Sequence, residues 1–213
     1  MKHLPMPVNI MSKKDKLKVN EIFYSIQGEG EYTGIPTIFL RLADCNLNCE
    51  WCDTDYSTYK IYDTSEIIKK IEKYSCKNLT ITGGEPLLQI DAVNNIVEQL
   101  PEYQIFIETN GSLKKTLENK LRVNYTVSPK IDIEGVFEYY HYNPKTTFKF
   151  IIQNQEDIDR IYNILEKYPY YKKTIYLQPE WGNYKEITKL ILRNISDTNF
   201  RLSTQTQKFL DLR

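Results

Sequence analysis

Apolar residues recur along this chain in two rhythms. Short runs rich in β-branched and aromatic residues read as strands at 19–23 (VNEIF), 36–42 (PTIFLRL), 78–82 (NLTIT), 104–108 (QIFIE), 124–128 (NYTVS), 147–152 (TFKFII), 174–178 (TIYLQ) and 200–203 (FRLS). Between them, helical spacing marks 65–74, 91–100, 156–168 and 183–194. In the first of these, Ile67, Ile68 and Ile71 share one face, and Thr64 or Ser65 is available as a cap. Alternation of strand and helix predicts an α/β fold of parallel strands with right-handed crossovers. The helices are too few for an eight-fold barrel. The expected architecture is a partial, open TIM-like barrel with a reduced number of helices. The first 18 residues, polar and lysine-rich, read as an N-terminal extension ahead of a single domain over 19–213.

The unusual clusters all follow strands. PTIFLRL runs into a cysteine-rich loop, NLTIT into GGEP, QIFIE into TNG, NYTVS into PK, TIYLQ into PEW and FRLS into TQTQK. Parallel α/β folds gather the C-terminal ends of their strands on one rim, where sites are built. The pattern therefore predicts one composite site.

Composition narrows the partners. Lys and Arg number 28, as do Asp and Glu, so the net charge of zero argues against a nucleic-acid surface. No apolar run approaches the ~20 residues of a membrane span, and the N-terminus has no signal-peptide core. A cytoplasmic protein without membrane contact is expected. Four unevenly clustered cysteines then suggest metal or redox chemistry, not a disulfide framework.

Three of them, Cys45, Cys49 and Cys52, lie within CNLNCEWCDT as C-x-x-x-C-x-x-C. Thiolates suit zinc, copper(I) or iron–sulfur clusters. Zinc would need a fourth ligand from Cys76, His3 or His141. An iron–sulfur cubane would take the three cysteines and leave one iron open.

C-x-x-x-C-x-x-C resembles the signature of the radical S-adenosylmethionine (SAM) enzymes. That resemblance implies a [4Fe-4S] cluster whose open iron chelates SAM, cleaved to a 5′-deoxyadenosyl radical. TITGGEPLLQ (80–89) is similar to that superfamily's glycine-rich motif, with Gly83 and Gly84 expected near the methionine amino group. ETNG (108–111) is similar to its ribose site, through Glu108 and Asn110. Ser128, Pro129 and Lys130, then Gln178, Pro179, Glu180 and Trp181, resemble further SAM-contacting segments. Trp51, Cys52 and Asp53 of the loop are expected on the cofactor as well.

Residues 21–56, with YLQPEWG and RLSTQTQKFLDLR, closely resemble the 7-carboxy-7-deazaguanine synthases of queuosine and 7-deazapurine synthesis. The resemblance runs from Val19 to Arg213. It implies a lyase acting on 6-carboxy-5,6,7,8-tetrahydropterin by hydrogen abstraction at C6, ring contraction and loss of ammonia. It assigns Ile26, Gln27, Gly28, Glu29, Arg41, Thr82, Gln207 and Arg213 to the substrate. Glu29 would accept N–H bonds from the pterin and Arg41 would grip its carboxylate. Thr54 would carry its hydroxyl to Mg2+. An electron donor such as flavodoxin or ferredoxin and a homodimer are implied as well. Two departures stand out. Gln207 occupies a position where many relatives carry histidine, and Arg213 one where they often end in proline. The competing readings are a glycyl-radical activating enzyme, which needs neither QGEG nor Arg41, and a non-catalytic zinc protein.

Overall fold

The computed structural model describes residues 15–55, 58–119, 121–195 and 199–212. His3, Arg213 and most of the expected N-terminal extension lie outside the described residues. Among the described residues nine strands form one sheet: β1 (Lys16–Ile26), β2 (Pro36–Leu42), β3 (Lys60–Asp63), β4 (Asn78–Gly83), β5 (Gln104–Thr109), β6 (Val123–Val127), β7 (Thr146–Ile152), β8 (Ile175–Pro179) and β9 (Phe200–Leu202). The spatial order is β3-β1-β2-β4-β5-β6-β7-β8-β9. The helices are α1 (Thr64–Ile71), α2 (Ile90–Gln99), α3 (Ile133–Tyr140), α4 (Gln155–Lys167), α5 (Tyr184–Asn194) and the short α6 (Thr206–Phe209).

From β2 to β9 every neighbouring pair is parallel. The other edge corrects the expectation of parallel strands throughout: β1 is antiparallel to both β2 and β3. The connection from β1 to β2 is too short for a crossover helix, so it closes as a hairpin. Gln27 donates its N–H to Ile35 O (2.8 Å), and Gly34 donates to Gln27 O (2.7 Å). β1 also begins at Lys16, so the last residues of the expected extension are part of the sheet. Pairing ends at β3 on one side and β9 on the other, and no closure joins them among the described residues.

Side chains alternate across a strand, and here the two faces differ in kind. One face carries Leu79, Ile81, Ile105, Ile107, Tyr125 and Leu177 into the apolar core, against Ile67 and Ile71 of α1, Ile96 of α2, Ile161 of α4 and Ile191 of α5. Between those positions stand Thr80, Thr82, Glu108, Thr126, Lys149 and Gln178. The second face is therefore polar toward the C-terminal strand ends. Farther down, Phe23 stacks on Phe39 at 4.9 Å, Tyr32 meets Phe106 at 4.6 Å, and the Thr37 and Thr80 hydroxyls bond at 2.9 Å. Core burial fixes which face is which, because a one-residue slip would exchange them.

Candidate active site

A cavity of about 470 Å3 opens over the polar face at the C-terminal strand ends. The cysteine loop forms one wall. It leaves β2 through Asp44, whose φ of 68° turns the chain left-handed, a conformation Asp tolerates better than most residues. The turn is pinned from both sides. Gly84 donates its N–H to Leu42 O (3.1 Å), Glu85 donates to Asp44 O (2.8 Å), and the Asp44 carboxylate meets Lys18 Nζ (2.8 Å). A Cβ at Gly83 would sit 2.1 Å from Leu42 O, and one at Gly84 2.0 Å from Asp44 O. These glycines are needed for the close approach of β4 to the loop. With its N–H committed, Gly84 keeps its carbonyl as the remaining backbone group.

Cys45, Cys49 and Cys52 all line the cavity; the first two are half-buried and Cys52 is exposed. Burial raises the Cys49 thiol, as do its neighbours Cys52 and Cys45, against the opposing pull of Lys130. Among the described residues no three His, Cys, Asp or Glu side chains gather tightly enough for a single metal ion. A cubane takes one thiolate per iron, and this donor set of three thiols on one wall fits that group. Neither other candidate for a fourth ligand lines the cavity. Cys76 Sγ points at Pro36 O (3.3 Å), beside the start of β4. His141 ends α3, stacked on Phe137, with Nε2 on the Tyr170 hydroxyl (3.2 Å).

Opposite the loop, Glu108 joins two residues assigned to the substrate. Its Oε1 accepts Gln27 Nε2 and its Oε2 accepts the Thr82 hydroxyl, each at 2.8 Å. Asn110 is drawn toward the cysteines instead: Nδ2 donates to Asn46 Oδ1 (3.1 Å), while Oδ1 accepts from Ser112 N–H (2.8 Å) and hydroxyl (2.6 Å). Behind both lies Glu85, fully buried, which accepts from Leu87 N–H, Asn110 N–H and the Thr109 hydroxyl. Burial raises its pKa, and those bonds partly offset the rise.

The floor carries the strongest charges. Glu29, in the β1–β2 hairpin, pairs with Lys149 of β7 and accepts from Gln205 Nε2 and Gln207 Nε2, both at 2.9 Å. Burial alone would raise the Glu29 carboxyl, but Lys149 and the two amides bring it down to about 2. Burial, then the Lys149 ammonium, bring Lys130 down to about 7. Lys130 Nζ lies 4.6 Å over the Trp51 ring and donates to Ser128 Oγ (2.6 Å).

Arg41 Nε is held by Glu21 (2.9 Å), so a carboxylate would have to be taken on its Nη atoms. Gln178 Oε1 accepts the Ser203 hydroxyl (2.9 Å), whose oxygen accepts Gly30 N–H (2.9 Å). Both Glu180 oxygens cap the turn that follows it, on Gly182 N–H (2.6 Å) and Asn183 N–H (3.2 Å). Trp181 stacks on Tyr184 and meets Phe209 edge-on.

Every expected site residue among those described lines this cavity except Pro129, which is buried beside it. Arg213 lies outside the described residues. Sequence reasoning missed Lys149, Glu85 and Lys208. Lys149 did have a signal, a charge inside the otherwise apolar run TTFKFII.

Comparison with known proteins follows the same lines. Residues 41–177 match the Radical SAM superfamily. The 7-carboxy-7-deazaguanine synthase of Hyperthermus butylicus is 34% identical over 194 residues, covering 82% of this chain and 83% of that protein. That of Buchnera aphidicola is 32% identical over 232 residues, covering 92% and 98%. The crystal structure of QueE from Escherichia coli superposes with a TM-score of 0.73 at 25% identity, over 90% of this chain and 94% of that one. The chain thus belongs to the radical SAM superfamily and, within it, to the 7-carboxy-7-deazaguanine synthases, which are carbon–nitrogen lyases.

Proposed function

We propose that the cavity converts 6-carboxy-5,6,7,8-tetrahydropterin to 7-carboxy-7-deazaguanine, with the cysteine wall serving the cofactor and the hairpin side serving the pterin. The observation that carries this reading is the convergence of the three thiols with Gln27, Glu29, Thr82 and Glu108 on one cavity of about 470 Å3. Superfamily membership implies a [4Fe-4S] cluster and SAM, and Cys45, Cys49 and Cys52 would hold the cluster. When bound, the pair supplies the radical that takes a hydrogen from the substrate.

The chain's own residues do the rest. Gly84 offers a carbonyl, which is what an amino group needs from its partner. Glu108 ties Gln27 and Thr82 together where the two halves of the cavity meet, so a pterin seated there abuts the cofactor side. Arg41 and Lys149 add positive charge for a carboxylated substrate. Thr54 lines the same cavity and supplies an oxygen for Mg2+, which takes few protein ligands and would share the substrate carboxylate. Arg213, an electron donor such as flavodoxin or ferredoxin, and a homodimer are carried over from the resemblance alone.

Anaerobic incubation with SAM, reductant, Mg2+ and the carboxytetrahydropterin, followed by mass spectrometry, tests the whole. Release of 7-carboxy-7-deazaguanine with ammonia is expected. An intact cluster that cleaves SAM but leaves the pterin unchanged would reject this substrate. Light scattering on the holoenzyme checks the dimer. Removing Asp211 to Arg213 is expected to raise KM for the pterin and leave SAM binding unchanged.

A further inference from the structure

Lys149 belongs to none of the motifs above, yet it lines the cavity. Its side chain is 9% exposed and that of its partner Glu29 is 16% exposed. The two come from opposite sides of the fold, β7 and the β1–β2 hairpin. Lys149 occupies Glu29 Oε2, while Oε1 takes both Gln205 and Gln207. Gln205 Nε2 also donates to Asp53 Oδ2 (3.1 Å), and Lys208 pairs with the same oxygen. Glu108 of β5, Asp53 of the cysteine loop and Lys130 after β6 also face Lys149.

We propose that Lys149 is a positioning residue for this site: acting through Glu29, it holds the C-terminal segment 204–212 across the cavity between the hairpin and the cysteine loop. This rests on the reading of the cavity as the pterin site. The physical reason lies in the acceptor. An ionised carboxylate takes several donors, whereas a protonated one loses acceptor capacity and gains a donor that two glutamine amides cannot both use. A carboxylate this deep stays ionised only beside an opposite charge. The low pKa of Glu29 is consistent with that dependence. Segment 204–212 has other contacts, including Thr206 N–H to Gly28 O (3.0 Å) and the packing of Phe209 on Trp181, but Glu29 receives two of its side chains directly.

The test uses reconstituted holoenzyme and 6-carboxypterin, an oxidised fluorescent probe. Wild type, Lys149→Met, Lys149→Arg, Glu29→Gln and the double variant Glu29→Gln/Lys149→Met are compared by probe titration and by hydrogen exchange. Lys149→Met is expected to weaken probe binding at least about tenfold, or 1.4 kcal/mol, and to speed exchange over 204–212. Lys149→Arg is expected to restore slow exchange in part. Because Lys149 acts through Glu29, the double variant should bind no more weakly than either single. It removes both charges of the Glu29–Lys149 pair, so it remains informative if Lys149→Met does not fold. Additive losses, or unchanged exchange over 204–212 in the double variant, would overturn the proposal. If wild type fails to bind the probe, the pterin reading falls, while the exchange measurements still decide the role of Lys149.

Discussion

Glu85 and Glu29 are both buried acids, and they serve the site in opposite ways. Glu85 has no cationic partner among the described residues and spends its oxygens on three donors, Leu87 N–H in the turn after β4 and the Thr109 hydroxyl and Asn110 N–H at the end of β5. Glu85→Ala would strand those donors, and a loss of about 3 kcal/mol is expected in urea unfolding. Glu29 is held by charge, so its contribution depends on pH. Its folded pKa lies near 2, below the ordinary 4.5. The stabilisation is therefore complete above about pH 4.5 and fades as pH falls toward 2. The melting-temperature gap between wild type and Glu29→Gln should be widest near neutrality and close across that window. The cysteines separate as sharply. Cys45→Ala, Cys49→Ala or Cys52→Ala is expected to remove the cluster's absorbance near 400 nm and the activity, whereas Cys76→Ala, far from the cavity wall, leaves both. Iron loss in Cys76→Ala with the fold intact would contradict this ligand assignment.

At the scale of elements, the site depends on how tightly β4 meets the start of the cysteine loop. Gly84→Ala forces a methyl into the Asp44 carbonyl. Overpacking of this kind costs about 1–3 kcal/mol, and bound iron per chain should fall with stability. Gly34→Ala is the control: its Cβ meets nothing within 4 Å, and only its φ of 92° is unfavourable. It is expected to cost ~1 kcal/mol with iron unchanged. The central strands were legible in the sequence because buried parallel strands read as dense apolar runs. β3 was not: KIYD is four residues on the outer edge, with two of them exposed and no apolar alternation to reveal it. α3 was missed because Gly135 and the aromatic run VFEYY obscure helical spacing. The antiparallel turn of β1 depends on a short loop, a property of connection length and not of the strand's own residues. For the site, motif residues at strand ends were readable because many sit beside a glycine, proline or cysteine, as Thr82, Asn110, Ser128 and Gln178 do. For Lys149 the run TTFKFII marks the charge but not its partner Glu29, and Lys208 pairs with Asp53, so distant in sequence that no local pattern records it.

Over the whole molecule, the sheet sets a polar face toward the cavity, and Gln205, Gln207, Lys208 and Leu212 near the end of the described chain line it. α6 is seated by aromatic contacts, with Phe209 edge-on to Trp181 at 5.2 Å and to Tyr184 at 5.4 Å. Such contacts are worth about 0.5–1.5 kcal/mol each. Phe209→Ala should therefore raise KM for the pterin several-fold with little change in kcat. An equal fall in kcat would mean that α6 acts on the chemistry and not on substrate capture.

The Gln205 amide group donates at once to Glu29, on the hairpin, and to Asp53, between Cys52 and Thr54 in the cluster loop. One side chain thus joins the region read as the pterin seat to the wall that carries the thiols. Reciprocity follows from thermodynamics: a ligand that tightens one end must be bound more tightly when the other end is ordered. The practical consequence is protection from air. With 6-carboxypterin bound, the cluster should bleach more slowly on exposure to oxygen than in the free enzyme. Gln205→Ala should abolish that difference while both enzymes still bleach.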